Sequence, residues 1–116
     1  MMRFYSITKQ ELIEFLKDVD NETYQAEAFT AALVTGLKTC GAQAEYLTAL
    51  INDWMTAFTA EKESTDKNER RIFHGSRENA ARYMLRLLQY KTNHSYISYW
   101  DLDLYLILGK VWERFK

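Results

Sequence analysis

Not one proline interrupts the 116 residues. Ordinary usage would place roughly five or six in a chain of this length. Proline breaks helix interiors and is common in the turns of all-β folds. Its complete absence fits long helices joined by short polar loops. Hydrophobic residues make up 47% and charged residues 27% of the chain, a balance that argues against disorder. A chain of this size buries about two-thirds of its unfolded surface, enough for one core without staples. The expectation is an all-α fold: a single compact bundle of four to five helices spanning 1–116.

The first helix announces itself. Thr8-Lys9-Gln10-Glu11 has the Thr-x-x-Glu form of a capping box, and Ile7 and Leu12 are spaced as a hydrophobic staple. Leu12, Phe15, Leu16 and Val19 follow at helical spacing. A second helix is read from about Glu22 to Cys40, with Gly41 as its C-cap. A third runs from about Ala42 to Glu61. There Leu47, Leu50, Ile51, Trp54, Met55 and Phe58 give the strongest amphipathic pattern in the chain. So short a connection between the two predicts a tight antiparallel hairpin.

Residues 61–71 are polar throughout, which reads as a surface loop or an exposed helix extension. Ser76 reads as the N-cap of a fourth helix reaching about Lys91, with Ala80, Tyr83, Met84, Leu87 and Leu88 on one face. Thr92-Asn93-His94-Ser95 reads as a turn. The last segment carries two signals. Leu102, Leu104, Leu106 and Leu108 alternate as in a strand, yet Val111, Trp112 and Phe115 continue at helical spacing. A buried helix from Tyr99 to Phe115 is the preferred reading, with a hairpin over 95–108 as the alternative.

The single cysteine, Cys40, excludes an intrachain disulfide, which fits a reducing compartment. The N-terminus lacks the apolar run of a signal peptide, and the run from Leu102 to Val111 is too short to span a bilayer. These features point to a cytoplasmic protein with no membrane partner. Net charge is −1. Residues 1–60 hold four basic and eight acidic side chains, a net of −4, and residues 61–116 hold eleven and eight, a net of +3. Such a dipole steers a charged partner. It is too small to make a nucleic-acid binder by charge alone.

No catalytic, metal or cofactor constellation stands out. His74 and His94 are twenty residues apart, without Cys or acidic residues at ligand spacing, and read as surface or loop histidines. Glu61 and Glu63 read as solvated surface. The cluster Arg70-Arg71-Ile72-Phe73-His74-Gly75-Ser76-Arg77 precedes the fourth helix as read above, where free amides and the dipole favour anions. Arg70, Arg71 and Arg77 are therefore candidates for contact with an acidic partner, although P-loop spacing is absent.

Aromatics are the most informative excess: eight Tyr, six Phe and three Trp. Tyrosine and tryptophan combine apolar area with a polar tip and are enriched at protein interfaces. The segment from His94 to Trp100, with Tyr96, Tyr99 and Trp100, is the expected binding surface. The function these features favour is non-catalytic protein binding. The size and make-up match an inhibitor of another protein, in the manner of a toxin-neutralising immunity protein or a phage-encoded antagonist of host defence. That likeness is one of composition and is carried by no motif. Two other readings use the same residues: a nucleic-acid-associated regulator working through the basic 70–86 region, and a self-assembling adaptor using the aromatics in a homodimer.

Overall fold

The computed structural model describes residues 4–20, 24–39, 41–90 and 102–116. Within them lie five helices and no strand: α1 (Lys9–Asp18), α2 (Tyr24–Lys38), α3 (Ala42–Glu63), α4 (Lys67–Leu87) and α5 (Leu102–Phe115). The all-α bundle is the fold. α2 packs against α1, α3 and α5, while α4 lies along α3.

α1 starts where its capping box predicts. The Thr8 hydroxyl accepts from the Glu11 amide at 3.2 Å, and the Glu11 carboxylate accepts from the Thr8 amide at 3.0 Å. The Thr8 amide first, and second the Thr8 hydroxyl, which also donates to the Glu11 carboxylate at 2.9 Å, hold Glu11 below the ordinary carboxylate range. Ile7 and Leu12 are both buried, as a staple requires.

Residues 4–8 are not helical, and their backbone needs partners that a sheet would otherwise supply. Asn52 of α3 provides two. Its Oδ1 accepts from the Ile7 amide at 2.8 Å, and its Nδ2 donates to the Ile7 carbonyl at 2.9 Å. Only a carboxamide offers both a donor and an acceptor in this geometry. Asn52→Asp, which cannot donate to the carbonyl, is expected to cost about 2 kcal/mol in urea unfolding at neutral pH. A change within error would mean that Ile7 burial and the Tyr5 hydrogen bonds to Thr56 and Thr59 hold the segment without it.

Gly41 sits at φ +107° and ψ −160°, a region essentially restricted to glycine. It is the N-cap of α3, without a side-chain cap, rather than a C-cap of α2, which ends at Lys38. Gly41→Ala is expected to lower stability by about 1–3 kcal/mol through backbone strain alone, read as a fall in melting temperature. A Cβ at this position meets nothing within 4 Å, so a steric clash plays no part. Near this turn α2 comes close to α3. A Cβ built on Gly36 would come within 3.0 Å of Leu47 and 2.7 Å of Leu88.

α4 begins ten residues earlier than Ser76 implies. Asp66 is its N-cap, accepting from the Asn68 amide at 2.8 Å, and Ser76 lies mid-helix. The polar run is thus a helix extension on either side of a short break at 64–66. Lys67 to Ile72 are all exposed, so no apolar face marks this turn and a half as helical.

α5 resolves the mixed signal in favour of a helix. Leu104, Ile107, Leu108 and Val111 are buried, at i, i+3, i+4 and i+7. Asp103 is buried too, and accepts from the Tyr90 hydroxyl at 3.0 Å. No helix among the described residues is long and apolar enough to cross a membrane.

Candidate functional site

Two places on the α3/α4 hairpin hold the unusual side chains. The first is internal. Arg77 is 3% exposed, although arginine is almost never fully buried unless paired. Its Nε donates to Glu61 at 2.9 Å, and its guanidinium lies 5.4–5.8 Å from the rings of Trp54, Phe58 and Tyr105. The other Glu61 oxygen faces His74 Nδ1 at 3.1 Å. Burial pushes the Glu61 carboxyl up, but hydrogen bonds from Arg77 and His74, with their charges, outweigh it and leave the group below its usual range.

This arrangement corrects three expectations. Arg77 is enclosed between helices, so its guanidinium presents no surface to an acidic partner. Glu61 is not solvated surface but the acceptor of that buried cation. His74 sits half-buried on α4 beside it, not in a loop. The spacing that joins these residues, 13 and 16 positions, belongs to the α3/α4 pairing and has no signature in one helix.

Arg70 and Arg71 are exposed. They do not precede a helix N-terminus: the Arg70 amide already donates to the Asp66 carbonyl at 2.9 Å. The anion site expected from free amides is therefore absent from this stretch. Nor do the arginines of 70–86 form one basic surface. Arg77 is buried, and Arg82 donates to Glu78 at 2.6 Å. Tyr96, Tyr99 and Trp100, together with His94 and Cys40, lie outside the described residues.

The second place is external. A groove of about 550 Å³ runs between α3 and α4, with Phe4 also lining it. Small side chains line it, buried Ala57 and Ala80 and exposed Ala49 and Ser76 among them. Tyr46 and Tyr83, each 49% exposed, and Phe4, 77% exposed, stand around it. Ile72, 65% exposed, lies on α4 one turn before Ser76. Among the described residues these four are the exposed large apolar side chains, and three of them line one groove. Singly exposed apolar residues need no explanation; convergence does.

Sequence reasoning missed this face. Of the expected face, Ala80 and Met84 are buried and Leu87 and Leu88 pack on the core, whereas Tyr83 is exposed and Arg77 takes an inward position beside Ala81 and Leu85. Tyr46 was legible, since it falls outside the Leu47, Leu50, Ile51, Trp54 stripe.

A second groove, about 760 Å³, lies between the end of α1 and α5, where Phe15, Phe58, Tyr105 and Trp112 meet Lys62 and Lys110. The Lys62 ammonium sits over Phe58 and Trp112, 4.8 and 5.4 Å from the ring centres. Among the described residues no cluster of three or more His, Cys, Asp or Glu side chains is placed to hold a metal. No family model matches the chain, and searches of curated proteins and of solved structures found no significant match.

Proposed function

We propose that this chain is a non-catalytic protein-binding protein whose contact surface is the outer face of the α3/α4 hairpin. One observation carries the reading: Phe4, Tyr46 and Tyr83 converge, exposed, on a single groove that small residues such as Ala57 and Ala80 also line. Contiguous exposed apolar surface marks interaction sites, and aromatic anchors over small-residue pockets supply most interface energy. The two tyrosines add hydroxyls that bond at a polar rim.

In this reading the chain works by occlusion, as an inhibitor seated on another protein such as a toxin or a host defence protein. The buried Arg77–Glu61–His74 cluster then serves the hairpin itself, holding α3 and α4 at a constant spacing beneath the groove. Nucleic acid is a weaker partner, because Glu78 and the burial of Arg77 break up the basic surface of α4.

The test is affinity purification of the tagged chain from its own host at moderate salt, with the wild type and a Tyr46→Ala/Tyr83→Ala variant in parallel. A stoichiometric protein that the wild type retains and the variant loses is the expected result. A partner held equally by both, or nucleic acid that washes off in salt, sinks the proposal.

A further inference from the structure

The two flanks of the α3/α4 groove differ in charge. On the α3 side Asp53 lines the groove, exposed Glu45 stands outside it in a depression that Lys9 also lines, and α3 itself has no basic residue before Lys62. On the α4 side no charged residue lines the groove; exposed Arg86 flanks it, its guanidinium 6.0 Å from the Tyr83 ring, while exposed Arg82 is engaged by Glu78. A partner lying in this groove has to offer a basic edge to α3, an acidic edge to α4 and apolar surface between them.

We propose that a second copy of this chain is the occupant, in a two-fold pairing that sets α3 of each copy on α4 of the other. The inference rests on reading the α3/α4 face as a protein-binding surface, and it names what binds there. The same face supplies both flanks in the required order, which is the definition of an isologous interface. The register agrees. α3 and α4 turn back through the break at 64–66, so Trp54 and Arg77, eleven and twelve residues from residue 65, stand at about the same height. Glu45 is nine residues before Trp54 and Arg86 is nine residues after Arg77, so in antiparallel helices the two stand at the same height. A two-fold axis along the groove preserves height and exchanges the flanks. Glu45 of each copy then meets Arg86 of the other, twice per dimer. Tyr46 and Tyr83 lie at that same end, next to the ion pairs, and bring the apolar area that the charges alone lack. A target inhibited through this face has to displace the second copy.

Sedimentation equilibrium at about 100 μM, a concentration suited to a small interface, tests the pairing. The wild type is expected to be dimeric. Glu45→Arg and Arg86→Glu each place like charges together at two points, and each is expected to weaken the dimer by about 10- to 100-fold. Mixing the two variants restores pairing, since every contact in the mixed dimer again joins opposite charges. The double variant Glu45→Arg/Arg86→Glu restores it in one chain. Both positions are exposed, so circular dichroism should show all variants folded. A monomeric wild type, or variants that do not complement, overturns the proposal. A photo-reactive phenylalanine at position 83, used in the host, separates the two levels. Cross-linking to the chain itself supports self-pairing. Cross-linking to a different protein alone overturns self-pairing and leaves the protein-binding surface standing. No cross-link at all removes both.

Discussion

Trp54→Ala is expected to destabilise the fold by about 4 kcal/mol, the upper part of the range for large aromatic truncations in a core. Trp54 is fully buried in the middle of α3. Its ring stacks on Phe58 with centres 4.7 Å apart, meets Tyr105 edge-on at 6.3 Å, and lies 5.7 Å from the Arg77 guanidinium. Alanine removes all three at once and leaves a cavity that rigid helices cannot fill. Trp54→Phe behaves differently. Trp54 Nε1 is buried with no hydrogen-bond partner among the described residues. Phenylalanine removes that unsatisfied donor, a gain of about 1–3 kcal/mol that offsets most of the lost area. Urea unfolding of both variants, compared at equal m-values, checks the pair. A loss below about 1.5 kcal/mol for the alanine variant would show that this site is not packed as described.

The second large effect belongs to Glu61. Glu61→Ala removes the carboxylate to which the buried Arg77 donates, and the expected cost is about 3 kcal/mol. The double replacement Glu61→Leu/Arg77→Met, which exchanges the pair for apolar volume, should recover most of that loss. The pair also sets a pH dependence. The folded state lowers the Glu61 pKa from its ordinary value near 4.5. A depressed carboxylate stabilises fully above its unfolded value, and that contribution disappears as pH falls through the lower folded value. Stability should therefore drop on acidification below about pH 4.5, and Glu61→Gln should flatten that part of the curve while lowering the neutral plateau. Equal acid slopes in wild type and variant would assign the acid sensitivity to other carboxylates, Glu11 among them.

Where a helix has one buried face and one solvated face, the chain spells it out. The capping box and staple at Thr8, Glu11, Ile7 and Leu12 are read within six residues, because every partner is local. The Leu47 to Phe58 stripe is read equally well, because α3 buries residues at strict helical spacing. The first turns of α4 are not legible this way. Lys67 to Ile72 face water on all sides, and a helix with no apolar face has no period. The start at Asp66 becomes visible only when the hydrogen bond to Asn68 is seen.

The candidate site divides along the same line. Local order determined five helices or nearly so, the α1 cap, the helix break at Gly41 and the absence of a spacing-coded catalytic motif. Tertiary structure alone decided that Arg77 goes inward. Glu61, Trp54, Phe58 and Tyr105, drawn from two other helices, together offset the desolvation of its charge, and no one-dimensional pattern records that compensation. Once Arg77 points into the core, the rotation of α4 follows, and with it the exposure of Tyr83 opposite Tyr46. A sequence specifies each residue's preference for water; which charged residue gives up its water depends on partners that only the packed helices bring together.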